Sequence, residues 1–198
     1  MPNMSKEEFD VLFQKANPAQ CPVELWWLVE KLNKLQPSAC LEIGGGATQY
    51  FWGFFAPTIS LTLANYAHSD VPHVSQKFTG FEEYLGYQGN ELYNGVRTFI
   101  CDSHEPTTRD QVEAFGPYDF VFIDGDHRRT GVQADIEMYF PLINKGGLAA
   151  FHDWNHQGTY PPDGACYPVQ KAFQNLGMSP TDVKIGTIGG YGIAVVQL

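Results

Sequence analysis

The chain reads as an α/β domain, a doubly wound and mostly parallel sheet of seven strands that closes in a C-terminal antiparallel hairpin. Three observations predict this. From Pro37 onward, short runs rich in Val, Ile, Leu and Phe alternate with segments of helical periodicity, the pattern of βαβ units. Phe120-Val121-Phe122-Ile123 is unbroken and apolar, as a strand buried on both faces must be, and it stops at Asp124-Gly125-Asp126-His127. The tail then carries two β-rich runs, 182–188 and 191–197, joined across Gly189-Gly190, which is a hairpin signal.

Residues 1–36 form a helical extension in this reading, and 37–198 form the main unit of what is a single domain overall. Phe9, Leu12 and Phe13 share one helical face, which Asn17-Pro18 stops. Cys21-Pro22 opens a second helix carrying Leu25, Trp26, Leu28, Val29, Leu32 and Leu35. At least one of Trp26 and Trp27 is expected to pack that helix on the sheet rather than stack on a ligand. Strands are expected at 39–43, 59–63, 96–101, 118–123 and 147–151, and helices at 48–55, 107–115, 129–140 and 167–176. In the third of these helices Val132, Ile136, Tyr139 and Ile143 recur at helical spacing, although Pro141 should end or kink it. Residues 64–95, rich in Gly, Tyr, His and Asn, fit a long loop over a site; Tyr84, Tyr87 and Tyr93 there could stack on an acceptor or pack within the loop.

At 198 residues the chain is long enough for one sizeable core. No apolar stretch approaches the roughly 20 residues that span a bilayer, and the polar N-terminus lacks the plan of a signal peptide. The expectation is a soluble, cytoplasmic protein that does not use the membrane. A formal charge of −10, with twelve scattered basic residues, argues against nucleic acid as a partner. Cys21, Cys40, Cys101 and Cys166 lie far apart without a CxxC, so no zinc site is expected; Cys40 and Cys101 read as buried thiols. Aromatic residues near the N-terminus leave room for a homo-oligomer.

Two strand ends carry the chemistry. Glu42-Ile43-Gly44-Gly45-Gly46-Ala47-Thr48 follows a strand and precedes a helix. Glycines let backbone approach a ligand, and a helix start offers unpaired N–H groups. A dinucleotide fingerprint would place glycine at position 49, where Gln49 stands, and no Gly-Lys-Ser/Thr ending exists for triphosphate. A nucleoside-type ligand, held by the turn and Glu42, is the reading that remains; its rival is a tight connection with no ligand. At the second edge, Asp124, Asp126 and His127 put three titratable groups into four residues, able to bind a metal, move a proton, or both.

The combination of these edges with the closing hairpin resembles the class I S-adenosylmethionine-dependent methyltransferases, whose fold is Rossmann-like. The stretch 119–154 resembles the small-molecule O-methyltransferases of the macrocin and, more distantly, the catechol type. The residues that carry it are Asp119-Phe120-Val121-Phe122-Ile123-Asp124-Gly125-Asp126-His127, Ala134-Asp135-Ile136, Pro141-Leu142-Ile143 and Gly146-Gly147-Leu148-Ala149-Ala150-Phe151-His152-Asp153. The resemblance implies S-adenosylmethionine as cofactor, with Gly44 and Gly46 at its methionine part, Glu42 nearby, and Asp102 and Ser103 beside the adenine. Asp124 also belongs to this cofactor edge. The family usually ends its second strand in an acidic residue for the ribose; here Asn65 stands near that place, a weaker partner for a hydroxyl.

The same resemblance implies methyl transfer to a hydroxyl of a small molecule, sugar or phenol-like, with Mg²⁺ or another divalent cation on Asp124 and Asp153. His152 stands where that group commonly has an acid. Three readings are open there: a softer ion, a His152 that stands behind the ligands, or no metal. Asp126 matches the sugar enzymes' proposed base, and His127 falls where the catechol enzymes carry a lysine; capping by Asp126 and packing by His127 are the plainer alternatives. Trp154, His156 and His104 are candidate pocket residues. The rival functions are a non-catalytic nucleoside-binding protein of this fold and a nicotinamide-dependent oxidoreductase.

Overall fold

Strand β1 (Cys40–Ile43) is buried at every residue because it lies mid-sheet, parallel to β2 (Thr58–Thr62) on one side and to β5 (Tyr118–Ile123) on the other. The structure is a computed structural model, and it describes residues 2–62, 82–83, 95–157, 167–186 and 190–198. The remaining strands are β3 (Glu82–Glu83), β4 (Val96–Ile100), β6 (Ile143–Phe151), β7 (Asp182–Lys184) and β8 (Ile193–Gln197), in the sheet order β3-β4-β2-β1-β5-β6-β8-β7. The five central strands are parallel; β8 runs antiparallel to β6, and β7 to β8. Seven of the eight strands are those the sequence predicts. The eighth, β3, is a two-residue antiparallel addition at the edge beside β4.

Helices cover both faces. On one face pack α1 (Lys6–Ala16), α2 (Pro22–Leu35) and α3 (Gln49–Phe55), through a cluster that includes Phe9, Leu28, Phe51, Trp52, Phe120 and Phe122. On the other pack α4 (Pro106–Glu113), α5 (Arg129–Tyr139) and α6 (Pro168–Asn175), through Val112, Val132, Ile136, Tyr139 and Phe173. Helix α1 starts at a capping box, in which the Glu8 amide donates to Ser5 Oγ (3.2 Å) and the Ser5 amide to Glu8 Oε2 (2.8 Å). Trp26 packs edge-on to Phe9, with ring centroids 5.2 Å apart, and Lys31 lies over Trp27. The helical extension is thus joined to the core rather than appended to it.

Two boundaries differ from expectation for one reason. Pro141 turns the chain into a 3-10 segment, Phe140–Leu142, so α5 ends at Tyr139 and Ile143 begins β6 instead of continuing the helical face. Strand β6 therefore starts four residues before Gly147, and its pairing with β5 shifts register between Tyr118 and Phe120. The tail strands β7 and β8 are shorter than the runs 182–188 and 191–197, and residues 187–189 lie outside the described residues. So does the loop 64–95, apart from β3 and Gly95, and with it Asn65, Tyr84, Tyr87 and Tyr93. Among the described residues, no helix is long and apolar enough to cross a membrane.

The order of strands sets where a ligand can bind. From β1 the chain works outward through β2 to β4, then returns to β5 on the other side of β1. The carboxyl ends of β1 and β5 flank this reversal, where loops part and open sheets form their crevices.

Candidate active site

At that reversal the backbones of the two edges touch. A Cβ on Gly44 would fall 2.1 Å from the Asp124 carbonyl oxygen, and Gly44 has φ +91°, so only glycine fits. The need for glycine here comes from strand-to-strand contact, not from the approach of a ligand. Gly45 meets Ser60 Oγ in the same way, at 2.3 Å. Gln49, at the place of a third glycine, is buried and accepts a hydrogen bond from Thr98 Oγ1 (2.8 Å), which ties α3 to β4. That use of Gln49 speaks against a dinucleotide turn.

A cavity of about 360 Å³ opens at these ends, a size suited to a cofactor-sized ligand. Gly44, Gly45 and Gly46 form one wall, Cys101 and Ser103 a second, and Asp124, Asp126, His127, His152 and Asp153 a third. Glu42 and Asp102, expected near the cofactor, are not among its lining residues. Glu42 is fully buried behind the turn, accepting from Thr48 Oγ1 and from Ser60 Oγ (2.9 Å). Burial pushes its carboxyl up to about 7, the two hydroxyls only partly offsetting it. Asp102 is exposed, and its Oδ1 accepts the His104 amide (2.9 Å).

The third wall is a charge cluster. His152 Nδ1 lies 3.1 Å from Asp124 Oδ1 and 3.1 Å from Asp153 Oδ1. His127 bridges the same two carboxylates from its own loop, Nε2 to Asp124 Oδ1 at 3.2 Å and Nδ1 to Asp153 Oδ2 at 3.1 Å. Gln20, from the turn between α1 and α2, donates to Asp124 Oδ2 (2.7 Å). Burial alone would raise the pKa of Asp124; the charge of His152 and the bond to His127 outweigh it and hold the carboxyl below its usual range. Burial works against charge on His152 as well, and the Asp124 carboxylate overcomes it, raising the imidazole well above its ordinary value. Asp153 sits at φ +59°, a left-handed conformation that costs a non-glycine residue about 1 kcal/mol.

Asp126 faces the cavity, but its carboxylate is gripped by Arg128, whose Nε lies 2.8 and 2.9 Å from the two oxygens. Its Cγ would be 2.2 Å from a Cβ on Gly131, so the first turn of α5 closes on it. Burial is outweighed by the Arg128 bonds, which keep Asp126 below the normal carboxylate range and make it a weak base. Of the other pocket candidates, His156 lines the cavity beside Tyr191 (centroids 4.6 Å apart). Trp154 instead packs edge-on against Phe173, and His104 turns to Asp135 Oδ1 at 3.1 Å. Burial pushes the Cys101 thiol up to about 12, as an inert cysteine requires.

Sequence reasoning missed Ala19, Gln20 and Tyr191 as cavity residues. None carries a local signal: Gln20 reaches Asp124 across 104 positions of chain.

The residues of both edges fall within one recognised family. A family model described as "Methyltransferase domain" matches residues 41–154, more than half of the chain. The chain belongs to this methyltransferase family. Among curated proteins it is similar to an 8-demethyl-8-alpha-L-rhamnosyl tetracenomycin-C 2'-O-methyltransferase of Streptomyces olivaceus, 36% identical over 75 residues. That alignment takes in 34% of this chain and only 20% of the relative, so the chain spans far less than the relative's length. Two solved structures share the fold. The MycE methyltransferase of the mycinamycin biosynthetic pathway, in complex with Mg, SAH and mycinamycin VI, is 17% identical with a TM-score of 0.62, over 99% of this chain and 54% of that one. An O-methyltransferase from Bacillus cereus in complex with SAH is 17% identical with a TM-score of 0.63, over 98% and 92%.

Proposed function

We propose that this methyltransferase moves a methyl group from S-adenosylmethionine to a hydroxyl of a small molecule, with the help of a divalent cation. One observation carries the reading: a single cavity has the glycine turn on one wall and the Asp124–His127–His152–Asp153 cluster on the facing edge. The related Streptomyces enzyme is named for 2'-O-methylation of a rhamnosyl group, and the MycE structure holds Mg and SAH, which supports the same chemistry here.

In this reading Gly44, Gly46 and Ser103 border the cofactor, and Glu42 acts from behind by fixing Thr48 and Ser60 around the turn. Methyl transfer needs the donor and nucleophile held in line, so the rigid walls supply most of the acceleration. The donor set fits a cation: oxygens of Asp124 and Asp153 and an imidazole nitrogen of His152 lie within 4.8 Å of one another. A cation there would supply Lewis acidity, lowering the pKa of an acceptor hydroxyl. His127 borders the cavity with both ring nitrogens on Asp124 and Asp153, and it would accept the proton once those carboxylates turn to a cation, whereas Asp126 stays engaged by Arg128. Gln20 orients Asp124, and Tyr191 and His156 offer an aromatic wall to the acceptor.

The scattered basic residues and acidic balance favour a small-molecule acceptor over nucleic acid and suit a cytoplasmic enzyme. The family match beginning at residue 41 supports a methyltransferase unit at 37–198 with residues 1–36 as a helical extension. Calorimetric titration with S-adenosylhomocysteine tests the function directly. Micromolar binding is expected; absence of binding, with and without divalent cation, would remove the reading.

A further inference from the structure

We propose that the cation site at the ends of β5 and β6 prefers a nitrogen-accepting first-row transition ion, such as Co²⁺ or Zn²⁺, over Mg²⁺. The inference rests on the methyltransferase reading only in expecting a cation at this edge.

The argument starts from donor spacing. Ligands at right angles around an ion with bonds of about 2.1 Å sit about 3 Å apart. The imidazole Nδ1 of His152 is 3.1 Å from an oxygen of Asp124 and 3.1 Å from an oxygen of Asp153. The imidazole thus stands at ligand spacing from both carboxylates, and all three donor atoms lie within 4.8 Å of one another, which places His152 among the ligands and not behind them.

Donor chemistry then selects the ion. Mg²⁺ takes oxygen ligands and sheds its waters reluctantly, whereas imidazole suits Zn, Fe, Ni and related ions. This edge supplies that nitrogen through His152, which belongs to the cluster itself. The protein also spends stability to keep the set. His152 is 7% exposed, and its Nε2 is buried without a hydrogen-bond partner among the described residues; Asp153, 4% exposed, holds its left-handed backbone at the strand end.

The experiment uses the whole chain, stripped with a chelator. Co²⁺ and Mg²⁺ are titrated by calorimetry, and Co²⁺ also by its visible absorption, which reports nitrogen ligation. S-adenosylhomocysteine is titrated in parallel, and His152→Asp and His152→Asn are compared after their melting curves confirm folding. Co²⁺ is expected to bind one equivalent at least about tenfold more tightly than Mg²⁺, and replacing the imidazole should shrink or reverse that ratio. Equal competition by Mg²⁺ in the unmodified protein overturns the proposal, as does an unchanged ratio in folded variants or failure of both ions to bind. Because the unmodified protein alone gives the competition result, loss of folding in the variants does not shield the idea. Co²⁺ binding without S-adenosylhomocysteine binding would sink the methyl-transfer reading and keep the ion assignment; the reverse pattern would do the opposite.

Discussion

Glu42 in β1 and Asp124 just past the end of the adjacent β5 stand two residues out of step, the first fully buried and the second nearly so at the cavity wall, yet their pKa values move in opposite directions. Burial raises both. Around Glu42 stand two neutral hydroxyls, whose bonds do not make up for lost hydration, so the carboxyl rises to about 7. Around Asp124 stand two imidazoles, whose charge more than makes up for it, and the carboxyl falls. Depth therefore says little about a buried acid; what faces it decides. The first acid becomes a neutral brace under the glycine turn and the second a ready anion at the cavity wall.

The largest expected effect comes from removing the anion. Asp124→Ala leaves His152 and His127 without their shared partner, and breaking a buried pair from one side costs about 4 kcal/mol. Urea unfolding at neutral pH measures it, and a loss under about 1 kcal/mol would mean the imidazoles do not depend on Asp124. Glu42 should show the opposite pH signature. Folded, it ionises at about 7, while its ordinary value is 4.5, so between these values the folded state binds more protons. Its stabilising contribution is complete below 4.5 and fades as pH rises through 7, a fall of about 3 kcal/mol at about 1.4 kcal/mol per pH unit. Glu42→Gln should flatten that fall in stability-versus-pH curves, and parallel curves for the two proteins would break the comparison.

Gly44→Ala sharpens it by disturbing the contact between the two edges. Positive φ and the Asp124 carbonyl should together cost about 2 kcal/mol or more, with weaker S-adenosylhomocysteine binding in the same calorimeter. The smallest effect is expected at Arg128, half-exposed beside Asp126, where Arg128→Ala should change stability by less than about 1 kcal/mol. A larger loss in thermal unfolding would place Asp126 with the buried acids rather than with surface pairs.

Much of this was legible in the order of residues. Strand β5 announces itself as Phe120-Val121-Phe122-Ile123 because a strand buried on both faces has no polar side to show, and Asp124 marks where burial ends. The helix at Arg129–Tyr139 follows from its periodicity, and Pro141 correctly limits it. Ile143 misled because an apolar residue at helical spacing looks the same whether it ends a helix or starts a strand. Glu42 misled differently: an acid beside glycines reads as a ligand contact, and only the sheet shows that Ser60 of the neighbouring strand and Thr48 already occupy it. For Asp126 the sequence leaves base and helix cap both open, and it gives no sign that Arg128, two residues on, folds back over the carboxylate.

By itself the sequence determined the alternation of strands and helices, the two polar strand ends and the closing hairpin, because periodicity and abrupt polarity changes are local properties. The tertiary structure decided which acids meet charge and which meet hydroxyls, that Gln20 reaches Asp124, and that His127 and His152 share two carboxylates. Those outcomes depend on strand order bringing residues up to 104 positions apart within hydrogen-bond range, where electrostatic energies change over a few ångströms.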